Sequence, residues 1–299
     1  MRVDPNYVSG LVASLNNSTL SEQKLTAELS SGLRVSSLST DPVAAGLASL
    51  LNSAISRDDS FVQTASTTQS MLQVTGSTLS SVVTQLTSAL SLAVAGNSGT
   101  ANASNLVSIS QQLSGIRDQV ISLANTSYQG TYIFAGSQGN VQPFALNRTT
   151  TPATIAYNGD SLVGSLTTPN GQHLQTTLAG SAVFSAPGAD VMATLTSLVN
   201  DFASGTVSPT AGVDIGILQS ALSNVSQQQE ILGSSLARLQ SASVYAQTDS
   251  VNRTAAVSTL VSASPAAVAT QLSAAEIQNQ ALMSVISTVE KQSLFTYLR

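Results

Sequence analysis

The chain has no cysteine and no tryptophan, and its single histidine is His173. Without cysteine there is no disulfide framework and no thiolate nucleophile. A lone histidine, set in the turn-rich stretch PNGQHLQ, leaves multi-histidine zinc sites without ligands and argues against a Ser-His-Asp triad. Charge is equally scarce: 8% of residues are charged, where about 25% is usual for a soluble chain. No charged side chain occurs between Asp59 and Arg117. Such neutrality raises the question of a membrane span. Ser, Thr, Gln and Asn interrupt the apolar residues every few positions, however, and no run approaches the roughly 18 apolar residues a spanning helix needs. The net charge of -5, with ten Lys and Arg scattered singly, argues against nucleic acid, which calls for a basic face. The opening MRVDPNYVSG has one early arginine but no apolar stretch of signal-peptide length and no small-residue cleavage site, so no Sec-type signal is expected.

What is present in quantity is helical periodicity. The 299 residues suit one large or two to three small domains, and 42% apolar content is enough to bury a core. From Leu47, spacings of four and three reach Leu51, Ala54, Asp58, Phe61, Ala65, Thr68, Leu72, Thr75, Leu79, Val82, Leu86, Ala89 and Ala93, a heptad-like seam broken by one Asp and softened by two Thr. A helix of about 50 residues would be roughly 75 Å long and could not bury that seam on itself. Partner helices are expected on both sides. Val8, Leu11, Leu15, Leu25 and Leu29 form a weaker first seam, with Ser18 and Glu22 in its missing positions. Leu106, Ile109, Leu113, Ile116, Val120 and Leu123 form a third, ended near Asn125. Ile215, Leu218, Leu222, Val225, Leu232, Leu236 and Leu239 begin a fourth. Pro265 is placed to open a last helix carrying Val268, Leu272, Ala275, Leu282, Val285 and Val289.

Residues 131 to about 186 break the pattern. Short β-branched or aromatic runs alternate there with turn pairs such as Asn158-Gly159, and TIAYNGD, QTTLAG and SAVFSAPG read as short strands. Residues 189 to 203 read as a short connecting helix. The expected fold is therefore mainly α with a β-rich insert: a long antiparallel coiled-coil or helical-bundle rod built from the N- and C-terminal regions, with a small β domain in the middle. Residues 1–40 with 265–299 form a terminal coiled-coil region, 41–130 with 188–264 the bundle, and 131–187 the insert. Pairing the two chain ends costs the closure entropy of a long excursion, which is reasonable when neighbouring copies help to bury the seams.

The stretch GTYIFAGSQGNVQPF stands apart by its aromatics. Tyr132, Ile133 and Phe134 favour a strand, Gly136 and Gly139 permit positive φ, and Phe134, Pro143 and Phe144 can fold back as an apolar plug. The patch is expected to clasp the insert to the bundle. A ligand pocket is not expected, since only Tyr128 and Tyr132 are titratable between Asp118 and Arg148. Asp41-Pro42 is a helix start, in which Asp41 accepts from first-turn amides and Pro42 lacks the N–H that would be orphaned. At the C-terminus, Leu294, Phe295 and Leu298 form an apolar group that serves either as a docking site or as the last turn of a buried helix. Ser21-Glu22-Gln23-Lys24 matches the S-x-x-K of penicillin-recognising enzymes, but neither S-D-N nor K-T-G follows. No Walker-type phosphate loop is present. The sequence reads as a non-enzyme without cofactor or metal. Triplets such as Asn125-Thr126-Ser127 are too common in so Ser/Thr-rich a chain to signal glycosylation.

Three motifs in order carry a resemblance. ELSSGLRVSSLSTDPVAAGLASLL, residues 28–51 with Arg34, Asp41 and Pro42, resembles the segment after the first helix of flagellins and of the flagellar hook–filament junction family. YIFAGS with the later Pro143-Phe144 resembles the junction family more than flagellin. KQSLFTYLR is similar to the amphipathic tail both share. The resemblance implies a hook-associated structural subunit that is exported through the flagellar type III apparatus without a cleaved signal and lies outside the cell. It implies self-association in a ring or tube, contacts with another hook-associated protein and with flagellin, and a cytoplasmic export chaperone. The implied assembly surface is Leu11, Leu15, Leu25 and Leu29 with Leu282, Val285, Val289, Leu294, Phe295 and Leu298. Flagellin itself is the alternative, and a secreted helical adhesin or translocon component a third.

Overall fold

The computed structural model describes residues 5–150 and 153–297, with side chains from Ser9 to Val289. The chain is mainly helical, with four small antiparallel two-stranded sheets in its middle. Helix α1 spans Pro5–Ser31, α2 Pro42–Gly96 and α3 Ala103–Ala124. Strands β1 (Ser127–Tyr128) and β2 (Thr131–Tyr132) form a hairpin. Its two turn residues, Gln129 and Gly130, both take positive φ, as a two-residue hairpin turn requires. Strands β3 (Phe144–Asn147) and β4 (Thr154–Tyr157) pair next, then β5 (Ser165–Thr167) and β6 (His173–Gln175). Helix α4 (Gly180–Phe184) leads into the minimal pair β7 (Ser185–Ala186) and β8 (Ala189–Asp190). Helices α5 (Val191–Ala203), α6 (Ala211–Val261) and α7 (Pro265–Tyr297) complete the chain.

The helix starts follow local chemistry. Asp41 Oδ1 accepts from the Ala44 amide at 3.0 Å, one residue before the proline that opens α2. Asn102 accepts from Asn105 N at the start of α3, and Asp190 from Ala193 N at the start of α5, each at 2.8 Å. Each cap satisfies an amide that has no partner within its helix.

The expected strand over SAVFSAPG is instead the single helical turn α4 followed by β7. Val183 and Phe184 are both fully buried. Consecutive residues of a strand point to opposite faces, so only a helical turn carries both inward here. QTTLAG also departs from expectation. Strand β6 ends at Gln175, and further on only Ala179 forms a lone bridge, to Ala135. TIAY is β4, as its alternation suggests.

Two compact units divide the chain: Met1–Ser56 with Asp249–Arg299, and Arg57–Thr248. Helices α2 and α6 contribute to both, so the divisions fall inside continuous helical ladders. The larger unit holds the main core. There the α2 seam is buried at Phe61, Ala65, Leu72, Thr75, Leu79, Val82, Leu86, Ala89 and Ala93. Leu106, Leu113 and Val120 of α3, Leu195, Leu198 and Phe202 of α5, and Leu218, Val225, Leu232 and Leu239 of α6 complete it. Each leucine so placed contributes about 1.5–3 kcal/mol over exposure. Although Ser and Thr interrupt its apolar residues, α2 is long and apolar enough to cross a membrane by length and composition, and its apolar seam is the face buried in this core.

Candidate assembly interface

Two constellations gather the residues singled out by the sequence, one in each unit. In the larger unit the aromatic patch becomes a four-ring knot. Phe134 and Phe184 meet edge to face with centroids 5.1 Å apart, Phe144 meets Phe184 at 5.4 Å, and Phe144 lies 5.0 Å from Tyr157. All three phenylalanines are essentially fully buried, and T-shaped pairs are favoured by the ring quadrupoles. Backbone bonds then tie the segments together. The Gly180 amide donates to the Phe134 carbonyl at 2.9 Å, and the Tyr157 hydroxyl lies 3.1 Å from the same oxygen and 2.7 Å from the Asp160 carbonyl. Burial pushes the Tyr157 phenol above its ordinary range.

The turn after the aromatic run is held by Asp160. Its carboxylate accepts from the Ser137 hydroxyl, from Ser137 N at 2.8 Å and from Leu162 N at 3.1 Å. These bonds, led by the Ser137 hydroxyl, hold the carboxyl below its usual range. Gly136 explains its place here: its φ is +70°, and a Cβ would sit 2.0 Å from Asp160 Oδ1. Of the residues marked in the sequence, Ile133, Phe134 and Phe144 are buried, Pro143 is buried beside them, and Tyr132 stands in β2. Phe184, Tyr157 and Asp160 are parts of this knot that the sequence reading did not single out. The signal for two of them was available in TIAYNGD, where a strand tyrosine and a turn aspartate flank Asn-Gly.

The smaller unit carries the terminal helices. Helix α1 packs along α7, and both leave one joint. Gly32 accepts from Ala263 N at 2.9 Å, Val261 from Arg34 N at 2.8 Å, and Leu33 bridges Ser262. Arg34 fastens it further. Its guanidinium donates to the Leu260 carbonyl at 2.9 Å and pairs with Asp41 at 3.3 Å. The Ala44 amide and then Arg34 hold the Asp41 carboxyl below its ordinary value of 3.8.

Leu11, Leu15 and Leu25 on α1 and Leu282 and Val289 on α7 are half-buried, whereas Leu29 and Val285 are each 41% exposed. Leu294 and Phe295 belong to α7, but their side chains are outside the described residues, and Leu298 lies outside them altogether. The seam is polar at its middle: Ser18 and Glu22 each bury a side-chain oxygen with no partner among the described residues. Beyond the seam, Leu20, Ile277 and Met283 are more than half exposed, as are Leu38, Val43 and Leu50 around the start of α2. A groove of about 530 Å³ beside these last residues is lined by Val35, Leu38, Ala45, Ala48, Val257 and Val261. These exposed aliphatic side chains and the groove lie in the same small unit.

No group of three or more metal-ligating side chains occurs among the described residues. Ser21 and Lys24 are both exposed, and Lys24 pairs with Glu28 at 3.8 Å. His173 is exposed and bonds Thr167 within its hairpin at 3.0 Å.

Two family models match the sequence: the bacterial flagellin N-terminal helical region over residues 8–139 and the bacterial flagellin C-terminal helical region over residues 215–298. Flagellar hook-associated protein 3 of Salmonella typhimurium is 33% identical over 134 residues, 44% of this chain and 42% of that protein. The Escherichia coli protein of the same name is 31% identical over 132 residues, with the same coverage. The aligned part thus spans less than half the length of these relatives. Among solved structures, flagellar hook-associated protein-3 from Legionella pneumophila superposes with a TM-score of 0.64 at 13% identity, covering 71% of this chain and 98% of that one. FlgL of Bacillus cereus gives 0.56 at 20%, covering 70% and 97%. These two share the fold.

Proposed function

We propose that this chain, which belongs to the bacterial flagellin family through its two terminal helical regions, is a structural subunit of the flagellum at the junction of hook and filament. The observation that carries this reading is the likeness to two relatives named hook-associated protein 3. The YIFAGS patch, built here as a buried aromatic knot, supports it.

The action is packing, not chemistry. A weak two-helix seam, half-buried at Leu11, Leu15, Leu25, Leu282 and Val289 and polar at Ser18 and Glu22, is marginal alone. Neighbouring copies complete it by covering Leu29, Val285 and the exposed aliphatics, with Leu294, Phe295 and Leu298 extending the same surface. Self-association in a ring or tube follows, with another hook-associated protein on one side and flagellin on the other. The subunit reaches its extracellular place by the flagellar export route, carried to it by a cytoplasmic chaperone.

Antibody labelling of intact cells viewed by electron microscopy tests the reading. A short labelled band where hook meets filament is the expected result. Label along the whole filament would make the chain a flagellin instead, and unlabelled flagella would overturn both.

A further inference from the structure

In the larger unit, the end of α5 and the start of α6 are cross-bonded by two hydroxyl–carboxyl pairs. The Ser197 hydroxyl donates to Asp214 Oδ2, and the Thr210 hydroxyl donates to Asp201 Oδ1 at 2.7 Å. Ser197 and Asp201 are four residues apart on α5, one above the other on one face. Thr210 and Asp214 are likewise four apart at the start of α6, joined by the Asp214 N to Thr210 O bond of 3.0 Å. The two rungs are neighbours, and the Asp201 and Asp214 carboxyls at their diagonal corners lie within hydrogen-bonding reach of each other. Asp201 is only 5% exposed, and its second oxygen, Oδ2, is buried with no partner.

Among the described residues, no lysine or arginine pairs with either carboxyl. Helix α2 has no charged residue after Asp59, and its end presents Gly96 and Asn97 to this region, Gly96 against Phe202. Helix α3 presents Ala103 against Gly205 and Ser110 to the Val199 carbonyl, while its only charges, Arg117 and Asp118, lie further along. Helix α5 carries no other charge, the Asp190 that caps it lying at the opposite end, and on α6 the next is Glu230. A buried acceptor oxygen facing a second carboxyl, with no ion pair to either among the described residues, favours a proton between them.

We infer that Asp201 and Asp214 share one proton, carried on Asp214 Oδ1 and donated to Asp201 Oδ2, and that this shared proton fastens α5 to α6 as an acid-strengthened latch. Solvent reaches its edge through a cavity of about 340 Å³ lined in part by Ser197 and Asn200, so the proton can exchange. Burial first, and Asp201 beside it, raise the Asp214 carboxyl above its ordinary 3.8. A group raised on folding contributes stability that is complete below the unfolded value and lost as pH rises through the folded one. The latch is therefore closed below the ordinary 3.8 and weakens as pH rises through the folded value.

Two measurements on the full chain test it. In the ¹³C carboxyl spectrum of the unmodified protein labelled at aspartate, the Asp214 signal is expected to titrate above the other aspartates. A midpoint at or below the ordinary value overturns the proposal whatever the variants do. The melting temperature is expected to fall as pH rises from the ordinary carboxyl value of 3.8 to neutral. Asp214→Asn, whose amide donates permanently, should be flat over that interval, and a slope equal to the parent's sinks the idea. Millimolar calcium or magnesium should leave the parent's melting temperature unchanged. A rise that Asp201→Asn abolishes would make this a cation site instead.

Discussion

Asn125 holds Phe144 from both sides of its backbone: its side-chain amide donates to the Phe144 carbonyl at 2.8 Å, and the Phe144 amide donates back to Asn125 Oδ1 at 2.9 Å. The last residue before the helical bundle gives way to the insert thus mimics a β-partner for the first residue of β3. Asn125→Ala removes both bonds at a part-buried site and is expected to cost about 1–3 kcal/mol. Urea unfolding of the full chain measures this, and a loss below a few tenths would show the clamp to be dispensable.

Phe184 is the shared partner of Phe134 and Phe144. Phe184→Ala opens a cavity beneath both rings, for which about 3–5 kcal/mol is expected. A loss confined to the range of surface substitutions would mean that the knot collapses to refill the space.

Gly180 is required for a different reason. A Cβ there would lie 2.5 Å from the Phe134 carbonyl oxygen and 2.8 Å from the Tyr157 ring. Gly180→Ala therefore forces backbone apart rather than a flexible tip, with about 1–3 kcal/mol lost. Near-ultraviolet circular dichroism should report displaced tyrosine, and an unaltered spectrum with unaltered stability would refute the close packing.

At the joint of the smaller unit, Arg34→Ala should speed hydrogen exchange and protease cleavage across residues 33–41 while leaving the larger unit as protected as before. Arg34→Lys should not restore protection, because one ammonium cannot reproduce the planar fork that reaches both Leu260 O and Asp41. Acid acts on the same contact. Asp41 is lowered on folding, so its contribution is present above the ordinary 3.8 and lost as pH falls through the folded value. Amide exchange at Ala44 should accelerate there, and exchange that is insensitive to pH, once corrected for its intrinsic rate, would contradict this.

For assembly, Leu282→Asp or Leu294→Asp should leave the melting of the larger unit unchanged while abolishing filament growth, since a charge sealed into a packed interface is poorly tolerated. Swimming cells carrying either change would remove the proposed packing role of α7.

The helices were legible because their signals are local. Asp41-Pro42 and Pro265 mark starts, and the seam from Phe61 to Ala93 repeats long enough for the 3.6-residue period to be unmistakable. The knot was only half legible. Phe134, Phe144 and Gly136 stand out in composition, but Phe184 lies 40 positions on in a stretch whose alternation suggests a strand, and nothing local says that Phe134 and Phe144 close upon it. The Asp201–Asp214 pair gave no sign, since a carboxylate at a helix end is normally a solvated residue.

By itself, then, the sequence determined the long helices, their caps, the irregular middle and the absence of cysteine or metal-clustering histidine chemistry, because propensity, capping and periodicity act within a few residues. Only the tertiary structure decided that SAVF turns as a helix, that Gly180 admits no side chain, and that two carboxyls meet between α5 and α6. Those outcomes depend on which distant surfaces are brought together, and burial and close approach are set there rather than along the chain.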